Sequence, residues 1–393
     1  MNVVTIKSRK EEAPYRKLVE EHGSPLLVLD CDTLRSTYRT LRAALPGVEL
    51  FYAIKSLPAK PALIALKAEG ANFDIATTGE IALMKSIGAD PKKTIHTHPI
   101  KRDQDIRDAL EFGCTIFVVD NPDELSKFQP YAGSAQLLLR VSFRAKQVNS
   151  DLSRKFGCTP RNIPMMLAEA KKLGVEIVGL SFHVGSQCLD TDAHVKAIHE
   201  CREYFDDGGL EGSGKLRVLD IGGGFPADYS GRGLDLVEYC RPIMDALADY
   251  PSSVRIIAEP GRVLSAPCIT AISTVIGRAE RIAANWYYLD DGVYGSYSGQ
   301  IFDHAHYPLT MFSDDNETST GVLTGPTCDS IDVILEEGKL PNMKIGDLVV
   351  GSMMGAYTLA TSCEFNSLPL PKLVTLNLVE EDMDAEKKVA ASR

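Results

Sequence analysis

Lys55 closes an apolar run, Phe51-Tyr52-Ala53-Ile54, and residues able to do chemistry recur at the same place in the segments that follow. They are Asp74, Arg140, His183, the run Gly222-Gly223-Gly224, and Glu259. A buried amine in apolar surroundings favours its neutral form, and a neutral amine condenses with a carbonyl to give a Schiff base. A lysine at a strand end, taken alone, is better explained by an ammonium that reaches water. Three glycines in Asp220-Ile221-Gly222-Gly223-Gly224-Phe225-Pro226 let backbone approach a ligand closely and turn several N–H groups toward one anion. The plain alternative is a flexible turn, so position decides. The run follows the seventh apolar segment, and Glu259-Pro260-Gly261-Arg262 follows the eighth, adding a guanidinium for the same anion. In barrels a phosphate often sits in the loops after strands seven and eight.

A carboxylate such as Glu259, facing a pyridine nitrogen, keeps that nitrogen protonated so that the ring withdraws electrons. An ordinary ion pair at a strand end is the alternative for Glu259 alone. His183 ends the sixth segment, where a flat imidazole could cover one ring face with Ser186 nearby as a phosphate donor. A hydrogen-bonded core histidine is the commoner fate of a single His. Amine, anion cradle and carboxylate converging on one face suit an aldehyde cofactor that carries a phosphate, namely pyridoxal 5′-phosphate. The pairs His96/His98 and His304/His306 have no carboxylate or cysteine to complete a tetrahedral set, so structural roles are expected and no metal.

Further along, Gly325-Pro326-Thr327-Cys328-Asp329-Ser330-Ile331-Asp332 sets a thiol beside carboxylates in a Gly/Pro loop. Asp290-Asp291-Gly292-Val293-Tyr294 and Phe302-Asp303-His304 add acids that could hold a cationic group. Solvated loop acids and one more reduced thiol are the simpler readings.

The elements that must position these groups alternate. Leu26–Asp30 reads as a short strand, and a helix follows with Leu34, Tyr38, Leu41 and Leu45 on one face. Eight strand-like segments then start at Val48, Asn72, Thr94, Thr115, Leu137, Ile177, Val218 and Arg255. Amphipathic stretches such as Pro61–Glu69, Glu80–Ile87 and Ala193–Phe205 lie between them. Near-continuous apolar strands alternating with helices indicate a parallel sheet covered by helices, here an α/β fold of the (β/α)8 TIM-like barrel type. An open doubly wound sheet is the structural alternative. After Arg262 the texture turns to β-branched and aromatic runs separated by Gly, Asp, Asn and Pro, the pattern of a C-terminal all-β domain. The expected division is a barrel over 31–266, a β domain from 1–30 with 267–379, and a disordered tail over 380–393.

The 393 residues carry a formal charge of −11 with no dense basic run, which disfavours nucleic acid as a partner. An acidic field favours a cationic substrate, although most such carboxylates serve solubility. No apolar stretch approaches the ~18 residues of a membrane span, and the first residues show no secretory h-region. Nine dispersed cysteines without a Cys-x-x-Cys pair read as reduced thiols of a cytoplasmic protein.

From Leu26 to Phe365 the chain resembles the ornithine/lysine decarboxylase family of alanine racemase-fold pyridoxal phosphate enzymes. The resemblance rests on nine ordered motifs. They are Phe-Tyr-Ala-Ile-Lys (51–55), Phe-Asp-Ile-Ala (73–76), Phe-His-Val-Gly-Ser-Gln (182–187), Asp-Ile-Gly-Gly-Gly-Phe-Pro (220–226) and Glu-Pro-Gly-Arg (259–262), followed by Asp-Gly-Val-Tyr-Gly (291–295), Asp-His-Ala-His (303–306), Gly-Pro-Thr-Cys-Asp (325–329) and Met-Gly-Ala-Tyr (354–357). It implies that Lys55 carries the cofactor and His183 stacks on its ring. Ser186, Gly222, Gly223, Gly224, Pro260, Gly261, Arg262 and Tyr357 belong to the phosphate side, and Glu259 meets the pyridine nitrogen. Asp74, Glu80 and Arg140 line the barrel mouth. It also implies a head-to-tail homodimer with shared sites. In such a dimer Cys328 and Asp329 come from the neighbouring subunit: Cys328 protonates the substrate carbon, Asp303 with Asp329 binds the distal ammonium, and Tyr294 and Phe302 belong to the substrate side. The implied reaction is decarboxylation of L-ornithine, and of L-lysine, to putrescine and cadaverine.

Two departures stand out. Phe302 replaces a tyrosine common in ornithine enzymes, and Ser56-Leu57-Pro58 follows Lys55 where Cys or Ala-Asn-Pro is frequent. Ornithine and lysine differ by one methylene, worth only ~1–3 kcal/mol of discrimination. Diaminopimelate, carboxynorspermidine and arginine remain as alternative cationic substrates, although diaminopimelate enzymes usually have a glutamate after the cysteine. An alanine racemase would set an arginine against the pyridine nitrogen in place of Glu259. A non-catalytic homologue resembling antizyme inhibitor is the alternative outside enzymes; such proteins tend to lose cofactor contacts that this chain keeps.

Overall fold

The structure is a computed structural model that describes residues 3–143, 152–205, 216–315 and 317–379. The expected tail, 380–393, lies outside the described residues. Two compact units divide the chain, one of Arg35–Pro226 with Leu234–Val263, the other of Met1–Leu34, Ala227–Gly233 and Leu264–Leu378.

The first unit is a closed barrel of eight parallel strands. They are β1 (Val48–Ala53), β2 (Asn72–Ile75), β3 (Thr94–His96), β4 (Ile116–Val119), β5 (Gln136–Val141), β6 (Glu176–Phe182), β7 (Val218–Asp220) and β8 (Arg255–Ala258). Each strand is buried on both faces, which is why they read as continuous apolar runs. Phe51, Ile95, Val118, Leu138, Val178, Val218 and Ile257 form one buried cluster, each contributed by a different strand. The connecting helices are punctuated locally. Thr77 and Asn121 cap two helix starts by accepting the backbone N–H of Glu80 and Glu124. Gly113 and Gly174, at φ +105° and +71°, end two others in the left-handed conformation.

Lys55 does not continue β1. The strand stops at Ala53, whose N–H donates to Pro260 O at 3.1 Å, and Ile54–Ser56 form a single 3-10 turn that lifts Lys55 off the sheet.

The second unit is a nine-stranded sheet. Its longest strand, Ile269–Glu280, pairs with Leu26–Asp30, Asn285–Leu289 and Leu348–Gly351. Leu26, Val28, Ile272, Phe312, Leu348, Val350 and Val374 form a core under the helix Ala13–His22. Among the described residues no helix is long and apolar enough to cross a membrane, and none of the nine cysteines is joined in a disulfide.

Candidate active site

Every barrel strand delivers a side chain near its C-terminal end, the end where barrel enzymes keep their chemistry. In order they are Lys55, Asp74, Thr97, Asp120, Arg140, His183, Asp220 and Glu259. Strand register sets Arg140 beside Ser181, and Ser181 beside Asp220.

Lys55 Nζ lies 2.9 Å from Asp74 Oδ2. The lysine side chain is 42% exposed and the aspartate 1%. The expectation of an amine buried among apolar groups is therefore corrected: its sequence neighbours are apolar, but its spatial partner is a buried carboxylate from the next strand. Thr97 Oγ1 donates to the other oxygen, Asp74 Oδ1. Glu80 is turned back on its own helix start, where its carboxylate accepts the N–H of Ala76. Burial pushes its carboxyl above the ordinary value, and the Asp74 charge adds to this.

Glu259 and Asp220 form a buried acid pair, 6% and 0% exposed. Burial drives both above the usual carboxylate range. Asp220 raises Glu259 further, whereas the hydrogen bond from Glu259 lowers Asp220. Two buried acids side by side disfavour ionisation of both, so the pair as a unit holds its proton above the usual carboxylate range. Asp220 also accepts Ser181 Oγ at 3.0 Å and Gly222 N at 2.9 Å. Asp220 and Ser181 were not singled out as site residues from the sequence; the only signal was the position of Asp220 just before the glycine run.

His183 Nδ1 accepts Gly185 N at 3.0 Å. Burial, then the positive charges of Arg140 and Lys55, hold its imidazole well below its ordinary pKa, so the ring is neutral. Arg140 stays a cation: burial lowers it, while Glu259, Asp220, Asp120 and Asp74 act in the opposite sense.

The glycine run is required as glycine. Gly222 and Gly224 take φ of +67° and +98°. A Cβ on Gly222 would lie 2.1 Å from Phe182 O, on Gly223 2.7 Å from Glu259 O, and on Gly224 2.5 Å from Gly185 O. Gly222 O accepts Glu259 N at 2.7 Å, and Gly224 O accepts Cys188 N at 2.9 Å. Buried His194 donates Nε2–H to Gly223 O at 3.1 Å, a support that no sequence signal announced. Arg262 grips Ser186 Oγ through Nη2 at 2.8 Å and Nε at 3.2 Å. A Cβ on Gly261 would sit 3.1 Å from Ser56 Cβ.

The remaining expected site residues belong to the sheet unit. Tyr357 takes φ +58° and packs with Tyr229 and Met353 against Ala227, Ala266 and Ala356. Tyr294 donates its hydroxyl to Asp329 Oδ2, which lowers the aspartate's pKa and raises the phenol to about 12. Phe302 is 68% exposed on the short helix Gly299–Asp303, and Cys328 is exposed.

The residues present fit pyridoxal phosphate. The left-handed turn of the glycine run, closely packed on the neighbouring strand ends, and the Arg262–Ser186 pair suit the phosphate. The buried Glu259 carboxyl suits the pyridine nitrogen, and Lys55 supplies an amine for the aldehyde. A barrel with this ring of groups defines a pyridoxal phosphate enzyme of the barrel-plus-β-domain type. Residues 31–266 match the pyridoxal binding domain of the pyridoxal-dependent decarboxylases, and the chain belongs to that family. It is 33% identical over 390 residues to the lysine/ornithine decarboxylase of Selenomonas ruminantium, covering 97% of this chain and 99% of that protein. It is 36% identical over 352 residues to antizyme inhibitor 2 of Xenopus laevis, covering 85% and 77%. The lysine/ornithine decarboxylase of Vibrio vulnificus, crystallised with putrescine, superposes with a TM-score of 0.90 at 47% identity, covering 95% and 100%.

Proposed function

We propose that the chain decarboxylates a basic amino acid, L-ornithine and also L-lysine, to the corresponding diamine. The observation that carries this reading is the complete ring of Lys55–Asp74, neutral His183, the glycine run with Arg262, and the Glu259–Asp220 pair. When bound, pyridoxal phosphate supplies an aldehyde that condenses with an amine and a ring that accepts the electron pair left by CO₂.

The chain's own residues do the rest. Lys55 provides the tethering amine, and Asp74 takes charge of its ammonium when it is displaced. Arg262 would neutralise the phosphate, and Ser186 with the backbone of the glycine run would hydrogen-bond it. Glu259 would face the ring nitrogen and keep it protonated, with Asp220 hydrogen-bonded to Glu259 from behind. His183 presents an uncharged face. Cys328 holds a proton at Sγ for the α-carbon, and Asp303 and Asp329 match a distal ammonium. Cys328 and Asp329 act in the site of a second subunit, which makes the homodimer the working form. The nine free thiols support a cytoplasmic location.

Measuring CO₂ release from ornithine, lysine, arginine and diaminopimelate tests the substrate class. Release from the first two supports the reading, and release from none rejects it in favour of an antizyme-inhibitor-like role. Mixing Lys55→Ala with Cys328→Ala chains, each inactive or impaired alone, should restore one native site per heterodimer. Mixtures no more active than their parents would contradict sharing.

A further inference from the structure

Cys328 is held by a single side chain. Its backbone N–H and its thiol both donate to Asn366 Oδ1, at 3.2 and 3.3 Å. One oxygen that accepts from both ends of the same residue fixes the cysteine rotamer and the direction of the S–H bond. Asn366 reaches this position from a left-handed backbone, φ +55° and ψ +18°, and Ser367 follows at φ +57°. Consecutive left-handed residues other than glycine are uncommon and occur where the surrounding structure over-determines them; asparagine is among the side chains that tolerate the region best.

The neighbouring residue grips the neighbouring acid. Phe365 stacks on Tyr294 at 4.2 Å between ring centroids and 15° between planes, and Tyr294 donates to Asp329. Cys363 N closes the arrangement on Tyr294 O at 2.9 Å. Adjacent residues 365 and 366 thus hold adjacent residues 329 and 328.

We infer that Asn366 is the positioning residue of the Cys328 thiol, aiming its S–H for delivery of one proton to the decarboxylated carbon. This rests on the decarboxylase reading. In the step the S–H bond breaks, a C–H bond forms at the carbon that lost CO₂, and the sulfur remains as thiolate until it takes a proton from water. An amide oxygen facing the sulfur accepts its S–H and holds that bond along one direction.

The contact is tested without turnover, by the rate at which iodoacetamide alkylates Cys328 in the cofactor-free protein at neutral pH, read by peptide mass spectrometry. Cys363, the other exposed cysteine, is the internal reference. Asn366→Gly keeps the left-handed turn and removes the acceptor; Cys328 should react faster by roughly three- to tenfold, the worth of one neutral hydrogen bond. Asn366→Asp keeps the acceptor and adds charge, so Cys328 should react more slowly than in the parent. Rates equal to the parent in both variants, or Cys363 changing in step with Cys328, would overturn the inference. In turnover, Asn366→Gly should form more aldehyde at the expense of diamine, with the cofactor's aldehyde converted to its amine, and leave KM near the parent value; an unchanged product ratio would also overturn it. If the parent releases no CO₂ while the alkylation order holds, the functional reading fails and the contact stands.

Discussion

Lys55 Nζ and Asp74 Oδ2 stand 2.9 Å apart, and the aspartate is anchored from its other side by Thr97. The pair stores the lysine as its ammonium, with the counter-charge buried behind it. Removing the carboxylate removes the stabilisation of that charged form. Asp74→Asn should therefore shift the midpoint for covalent capture of added pyridoxal phosphate by the cofactor-free protein to lower pH. Following the absorbance of the adduct across a pH series checks this; a midpoint unchanged or raised would show that Asp74 does not govern the amine.

Gly223 has no room for a side chain, because a Cβ would meet Glu259 O at 2.7 Å and His183 Nε2 at 3.0 Å. Overpacking of this kind costs about 1–3 kcal/mol. Gly223→Ala should lower the melting temperature and lose bound cofactor on dialysis, since the displaced atoms belong to the carboxyl and imidazole carriers. A variant that melts and retains cofactor like the parent would show that the packing around Gly223 has slack.

Asp291, in the sheet unit, is 3% exposed, and burial raises its carboxyl to about 6. Its Oδ1 accepts Gly292 N and Ser296 N, both at 2.9 Å. A raised folded value means that the unfolded chain gives up this proton first. The contribution is present in full below the unfolded value of 3.8 and is lost as pH rises to about 6. The linked change amounts to about 3 kcal/mol. Asp291→Asn removes the titration and should gain stability relative to the parent between those limits, then hold a constant difference above them. Thermal melts of both proteins across that range check the sign; a difference independent of pH would contradict it.

The barrel was legible because its strands are buried on both faces and therefore uniformly apolar. The observed strands fall within a residue or two of the expected ones. The β unit was less so. Val4–Lys7 and Leu309–Phe312 are only four residues each, and Val333–Pro341 carries Glu336, Glu337 and Lys339 on its exposed stretch. The chemical residues at strand ends were visible, since a polar group closing an apolar run has a local signature. Their partners were not. Asp74 meets a lysine 19 residues away, Ser181 meets Asp220 across 39, and Cys328 meets Asn366 across 38. Nothing in the local sequence of Asn366 or His194 marks them, because their roles exist only once distant segments are packed together. Lys55 shows the converse: its apolar sequence neighbours suggested a buried neutral amine, and the fold gave it a carboxylate instead.

The central claim is that Lys55 is the amine that captures the cofactor. Loading the protein with pyridoxal phosphate, reducing it with borohydride and locating the modified peptide by mass spectrometry tests it most directly. The account predicts loss of the visible absorption band and a stable pyridoxyl group on Lys55, absent in Lys55→Ala. A pyridoxyl group on another lysine, or none with the band intact, would contradict it.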